Sequence, residues 1–450
     1  MAYISEWLAL LDNRPAPVGE WATYRRDEAL QLLRHAEKTG DWITLSNYRN
    51  GFVREVAVRE LIDRPSPGAL VALIERLNDW VPQVRDLAKA GLARYLSPTH
   101  VPALLFALED FMALALRHRA DHAPTLKAVR AVLQSVEADN EVYTSFLTRQ
   151  GRAARYLFTL LLEKDGDRQT LLRDALAHRE LTVRLLAVTA CHELPNVRAV
   201  PLLREALLRP GAKVRVCVLR ALLPLLENPQ PTLCTSLLDA SPSIRSLARW
   251  VAPSHGVDAH SLLVERLNQD LPTARREWLG ILGLAKELGV ELEHSWLAAA
   301  ARSDYPDVRR GVIGLLGEGQ VSLMLAALDD PSDAVFMAAA AQLDKQPWNS
   351  LKAELDARFD RDWHELPTTR RRTLMQLRPR WQQASYLIGR LTSEPVAQVF
   401  WAHEVDLWCE AQYQIVDPIT SRAERGAIID KLRNLASRGL ISSSNFARVV

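Results

Sequence analysis

At 450 residues, with 48% hydrophobic and 24% charged side chains, the chain has the balance of an ordered globular protein rather than a disordered one. A formal net charge of +2 gives no whole-molecule field toward nucleic acid or an anionic membrane, so any such binding has to come from a local patch. Of the 56 basic residues 9 are Lys and 47 are Arg, a bias that a GC-rich genome explains as readily as a need for bidentate contacts.

Taken in chain order, residues 1–38 carry two predicted helices that cap whatever follows. The opening Met1-Ala-Tyr-Ile-Ser-Glu-Trp has no basic stretch ahead of an apolar one, so no secretory signal is expected. The longest near-continuous apolar run, Ala334 to Leu343, is about half the length of a spanning helix, so membrane insertion is not expected either. Cys191, Cys217, Cys234 and Cys409 are scattered along predicted helices with no C-x-x-C pair, which indicates neither a disulfide framework nor a zinc site. These readings together imply a reducing, cytoplasmic location.

From residue 39 a phrase recurs: an aliphatic residue, then Arg, then apolar positions at helical spacing. It appears at Val53-Arg54, Val84-Arg85, Val183-Arg184, Val214-Arg215, Ile244-Arg245, Ala274-Arg275 and Val308-Arg309. Arg54 and Arg85 lie 31 residues apart, as do Arg184 and Arg215; the next steps are 30, 30 and 34 residues. The gap of 99 residues from Arg85 to Arg184 holds about three units, two of them degenerate. Val183, Leu186, Ala187, Ala190, Cys191 and Leu194 fall at i, i+3, i+4, i+7, i+8 and i+11, and Val214 to Leu225 repeats that register. Such spacing lines one stripe of a helix and cannot be laid on one face of a strand.

A second apolar helix and a tight turn precede each of these helices, as in Arg209-Pro210-Gly211, Asp239-Ala240-Ser241-Pro242 and Asp304-Tyr305-Pro306. Pro and Gly stop the first helix, and Ser or Asp is expected to cap the second. One hairpin cannot bury both apolar stripes, so the hairpins must stack.

This unit resembles the HEAT repeat, including the HEAT-like repeats of phycobilin-lyase-type proteins, in which a turn Asp is followed six residues later by Arg. Asp79 with Arg85 and Asp239 with Arg245 keep that offset, while Asp270 with Arg275 and Asp304 with Arg309 are one residue short. Arg184 and Arg215 lack the Asp, and the unit at Ala334-Val335 lacks the Arg. The resemblance implies an all-α, right-handed α-solenoid over residues 39–345, degenerate from 100 to 165, and says almost nothing about ligand. Beyond residue 346 the period is lost and five of the twelve Trp occur: Trp348, Trp363, Trp381, Trp401 and Trp408. This tail, 346–450, is expected to be a helical module. Ser421 and Glu424 form a capping box ahead of Ile428, Ile429, Leu432 and Leu435, and Gly439 is the stop.

The recurring arginines have two readings. Arg54, Arg85, Arg184, Arg215, Arg245, Arg275 and Arg309 form either a structural ladder that bonds turn carbonyls and Asp side chains, which the resemblance favours, or a row of phosphate contacts. Arg59, Arg94, Arg220 and Arg249 lie off the apolar stripe, and with Trp250 and Trp278 they outline a basic, aromatic groove on the inner surface of the curve. The alternative is a solvated face on which Arg stems cover apolar surface. Arg370-Arg371-Arg372, with Arg378 and Arg380, is the densest basic run, behind a helix start at Thr368 or Thr369. With Trp381, Trp401 and Trp408 it makes the tail a candidate partner-binding surface, since Trp and Arg dominate interface hot spots; equally, those Trp fill a core.

Catalytic and metal signals are poor. His118 and His122 have no third ligand near them, and Ala123-Pro124 points to a loop. His403-Glu404 begins like a zincin motif, but Leu407 stands where the second His belongs. No Walker loop and no G-x-S-x-G occurs, and Gly317-Glu318-Gly319 is a helix stop. Some alkylpurine DNA glycosylases use this architecture, yet no Asp with paired Trp maps here. The sequence therefore points to a non-enzymatic protein-binding scaffold that uses the concave face and the 346–450 module, part of a larger bacterial assembly, with no cofactor, no metal and a protein partner. A nucleic-acid binder contacting phosphates through the inner-face arginines is the second reading and a glycosylase the third.

Overall fold

The computed structural model describes residues 9, 19–164, 166–412 and 415–450. The first of the two helices expected in residues 1–38 falls largely outside them. Every regular element among the described residues is helical, and the chain forms two compact units, 1–227 and 228–450.

In the first unit the helices are α1 (Glu20–Thr39), α2 (Trp42–Ser46), α3 (Gly51–Asp63), α4 (Pro67–Arg76), α5 (Pro82–Ala93), α6 (Val101–Phe106) and α7 (Leu108–Leu114). They continue as α8 (Ala123–Leu133), α9 (Asp139–Thr148), α10 (Gly151–Leu162), α11 (Arg168–Ala177), α12 (Leu181–Ala190), α13 (Asn196–Leu208) and α14 (Ala212–Leu222). Hairpin partners pack on each other (α2 on α3, α4 on α5, α9 on α10, α11 on α12, α13 on α14), and like helices of several successive hairpins pack as well, α3 on α5 and α12 on α14 among them. That pattern of next and next-but-one contacts makes stacked HEAT-like hairpins. It follows from the sequence, because the stripe of Val183, Ala187, Ala190 and Cys191 is wholly buried only when a second hairpin covers it.

In the second unit the helices run α15 (Gln230–Leu237), α16 (Pro242–Val251), α17 (Ala259–Leu267), α18 (Arg275–Leu288), α19 (His294–Ala301), α20 (Pro306–Ile313), α21 (Val321–Ala326) and α22 (Asp333–Leu343). The tail adds α23 (Trp348–Asp362), α24 (Thr368–Gln376), α25 (Arg380–Ser393), α26 (Gln398–Glu410), α27 (Arg422–Ser437) and α28 (Ser443–Phe446). The same pairing recurs, α15 on α16, α19 on α20 and α18 on α20, and it runs on through α22 against α24 into the tail.

Local starts and stops follow capping chemistry. Proline opens α5, α16 and α20 at the position where a missing N–H costs nothing. Ser421 and Glu424 form the expected box ahead of α27, and Gly439 takes φ +70° after it. Two caps differ from the sequence reading. Ser241 precedes α16 without a side-chain cap; instead Asp239, two residues earlier, accepts the Ser241 N–H at 2.7 Å. α24 starts after Pro367, and neither Thr368 nor Thr369 caps it.

Gly280 sits where α18 runs against the end of α15. A Cβ built there would lie 1.9 Å from the Leu238 carbonyl oxygen. At Gly389, inside α25, nothing lies within 4 Å of the same position. Helix propensity favours Ala over Gly at both sites by about 1 kcal/mol, and only overlap can reverse the sign. In urea unfolding, Gly389→Ala is therefore expected to raise the unfolding free energy and Gly280→Ala to lower it by about 1–3 kcal/mol. Equal effects at the two positions would contradict this packing.

Candidate functional site

The recurring arginines are joints. Arg54, only 6% exposed, donates from Nε and Nη2 to the two Asp79 carboxylate oxygens at 2.7 Å each, and from Nη1 to the Tyr48 carbonyl at 2.9 Å. Arg309 repeats this geometry in the second unit, with Asp330 at 2.6 and 2.9 Å and the Ser303 carbonyl at 2.8 Å. Arg85 and Arg245 also bond the carbonyl six residues back, that of Asp79 at 2.8 Å and of Asp239 at 2.7 Å. The six-residue offset thus brings the guanidinium to the backbone of its own turn, while the carboxylate it grips comes from the following hairpin. The turn aspartates brace their own turns as well. Asp79, Asp239 and Asp330 accept the N–H two residues on, of Val81, Ser241 and Ser332, at 2.7–2.9 Å.

Other members vary the theme. Arg245 bonds Glu287 at 2.5 and 3.1 Å, Arg275 bonds Asp307 at 2.7 Å, Arg184 reaches the Pro210 carbonyl at 2.5 Å, and Arg215 the Leu207 carbonyl at 2.9 Å. Off the ladder, Arg59 pairs with Glu55, Arg94 with Asp63 and the Ile62 carbonyl, and Arg249 with Glu287. Arg220 lies exposed on α14.

The tail's aromatic residues face inward. Trp381, Trp401 and Trp408 are buried, as are Trp348 and Trp363, so these side chains cannot meet a partner without opening the module. The reason lies in the spacing, since Trp401, Val405, Trp408 and Cys409 form one apolar stripe at i, i+4, i+7 and i+8. Cations enter this core over ring faces. Arg378, also buried, lies 4.2 Å from the Tyr386 centroid, 4.9 Å from Phe359 and 5.4 Å from Trp348, with Asp356 at 2.5 Å. The Arg370-Arg371-Arg372 run is divided. Arg370 bonds Asp333 and the Asp330 carbonyl, both at 2.7 Å, Arg371 covers Trp363, and Arg372 is exposed.

Trp278, expected beside Trp250 on an inner groove, is buried edge-on against Trp296 at 5.6 Å. Counted from Ala274 it occupies position i+4 of the stripe, with Ile281, Leu282 and Ala285 behind it. Among the described tryptophans only Trp21, Trp80 and Trp250 are exposed.

Trp80 stands apart because its surroundings hold it rigidly. It occupies the α4–α5 turn, between Asp79 and Val81-Pro82. Asp79 fixes the turn from within, Arg85 bonds the Trp80 carbonyl at 3.3 Å, and Arg76 reaches Asp79 at 3.0 Å. The connection 115–122 lies over this turn. Asn78 accepts the Arg119 N–H at 3.0 Å and faces His122 Nε2 at 3.3 Å, Arg119 Nη1 donates to the Asn78 carbonyl at 3.2 Å, and Arg117 clasps Glu75 with bonds of 2.8 and 2.7 Å. Burial holds the His122 imidazole below its ordinary value. The Arg119 guanidinium then sits 3.8 Å from the Trp80 ring centroid, and the indole is still 75% exposed. Sequence reasoning overlooked this pair. A Trp in a turn, outside any stripe, was a visible signal; an Arg 39 residues away closing on it was not.

Among the described residues no group of three His, Cys, Asp or Glu side chains is placed to hold a metal ion, and no helix is long and apolar enough to cross a membrane. No family model matches the chain, and comparison with curated proteins gives no match. Among solved structures it is similar to the C-terminal fragment of the cohesin loader SCC2 from Chaetomium thermophilum, at 12% identity and a TM-score of 0.27. The alignment covers 99% of this chain and 44% of that one, so this chain spans less than half of that structure's length.

Burial pushes the Asp79 carboxyl up, but the bonds from Arg54 and from the Val81 N–H, with the charges of Arg54 and Arg76, outweigh it and hold the group below its ordinary value. A carboxyl lowered in this way stabilises the fold above its unfolded value, about 3.9, and that stability is lost as pH falls through the folded value. Arg54→Ala removes the bidentate partner of a buried carboxylate, leaving it Arg76 and the Val81 N–H, and is expected to cost about 1.5–3 kcal/mol at pH 7. Less of that cost should remain near pH 3, where the carboxyl that has lost this partner takes a proton more readily. A cost that is small, or independent of pH, would remove Arg54 from the joints.

Proposed function

We propose that this chain is a non-enzymatic protein-binding scaffold, and that the Trp80–Arg119 pair is the anchor of one partner site. The observation that carries the reading is a large aromatic side chain left 75% exposed on a backbone braced from both sides. Exposing an indole forgoes the favourable burial that eight other described tryptophans obtain here. A braced, exposed Trp under an Arg also has the composition and low ordering cost of an interface hot spot.

The nucleic-acid reading is weaker on these grounds. A phosphate ladder needs guanidinium groups that face solvent with free donors. Of the inner-face arginines, Arg59 pairs with Glu55, Arg94 with Asp63 and Arg249 with Glu287, while Arg220 is exposed; in the ladder Arg54, Arg245 and Arg309 spend their donors on carboxylates and carbonyls. The phycobilin-lyase side of the resemblance brings no ligand-holding residue with it. Cytoplasmic location and membership of a bacterial assembly stay part of the proposal.

The test starts from affinity purification in the native host, with partners identified by mass, followed by titration of the purified partner. Trp80→Ala and Arg119→Ala are each expected to weaken the complex at least roughly tenfold with little change in unfolding midpoint, because neither side chain is core. Full affinity in both variants would dismiss this anchor. Tight DNA or RNA binding with a steep salt slope would favour the second reading instead.

A further inference from the structure

Between residues 98 and 135 the hairpin pattern breaks, and the break leaves a cavity in the first unit. α7 packs on α4 and α10, and α8 packs on α6, but α8 packs closely on neither α7 nor α10. These three helices wall a pocket of about 420 Å³, within the range of roughly 300–1,000 Å³ that small-molecule sites occupy. Its walls are Leu108, Phe111, Met112, Leu126 and Tyr156.

Both charged residues that line the pocket, Lys127 and Arg130, are cations, and no carboxylate lines it. Arg130 is held at one edge. It donates to Glu163, which also accepts from Gln134 at 3.2 Å, and its guanidinium lies 6.0 Å from the Tyr156 ring. Lys127, one residue after Leu126, is exposed and makes no ion pair among the described residues.

An apolar hollow of this size, with Arg130 already paired to Glu163 at its edge and the Lys127 ammonium left without a carboxylate, selects a charge as well as a shape. A neutral apolar body satisfies the walls. A neutral head group would leave the Lys127 ammonium with water alone, whereas an anion gains a charge-assisted bond. We propose that this pocket binds a small amphiphile, an acyl or aromatic body carrying one anionic head, with the body against Leu108, Phe111, Met112 and Leu126 and the head at Lys127. This site lies apart from the Trp80–Arg119 anchor in its chemistry and does not depend on it.

The probes are decanoate, decanol and 1-anilinonaphthalene-8-sulfonate, titrated into the full chain by calorimetry and by fluorescence. The expected result is one saturable site at which decanoate displaces the sulfonate dye. Ala115→Trp places bulk on an exposed lining position and should abolish binding, and Leu126→Phe should weaken it, with helicity and melting retained. Lys127→Glu should weaken decanoate by roughly fivefold or more and leave decanol unchanged. Three results would each overturn the proposal: no saturable binding, binding that both pocket-filling variants leave intact, or decanol binding as tightly as decanoate.

Discussion

A guanidinium cannot be buried alone. Taking Arg54 or Arg309 out of water costs several kcal/mol unless its fixed fork of donors meets acceptors in matching geometry. Here the acceptors come from two places, the carbonyl of the residue's own turn and the carboxylate of the next hairpin's turn. The carboxylate has the mirror requirement and meets it with the guanidinium and a backbone N–H. Neither turn can take its shape without the other hairpin in register. Apolar stripes say that hairpins must stack; these joints say how far one slides along the next.

The same need governs the tail by other means. Arg378 is surrounded by three aromatic faces and one carboxylate, and Arg390 lies between Asp360 at 2.6 Å and the Trp401 ring at 5.3 Å. Aromatic faces are attractive neighbours for a desolvated cation, because their negative quadrupole replaces part of the lost hydration. Trp density there marks a core built to contain cations. The composition of an interface and the composition of such a core are alike, and only burial separates them.

Much of the fold was legible because it rests on local periods. The stripe at Val183, Ala187 and Ala190, the turn prolines and the Ser421–Glu424 box each depend on residues within a dozen positions of one another; Leu186, expected in that stripe, is instead exposed. The stripe also carried the burial of Trp278 and Trp401, although hot-spot composition pointed the other way. The joints were half legible. The six-residue offset and the bonds to turn carbonyls and Asp side chains were visible, but not which hairpin supplies the carboxylate. The closures of Arg119 on Trp80 and of Arg117 on Glu75 join positions about 40 residues apart across an irregular stretch. No period announces them, and the pocket beside α8 escapes sequence reading for the same reason.

The joints have a direction. Arg54 reaches forward to Asp79 and Arg309 forward to Asp330, so an ordinary hairpin offers a socket to the unit before it and a plug to the unit after it. Such a piece can be copied in tandem with both halves already matched, which lets an array lengthen by gene duplication without inventing a new contact. It also creates a problem of termination, because the final plug would face nothing. Arg370 resolves it by pointing backward, to Asp333 and the Asp330 carbonyl, so that the turn receives one cation from each side. Polarity of this kind marks where the forward-reaching joints give way to the differently built tail of the second unit.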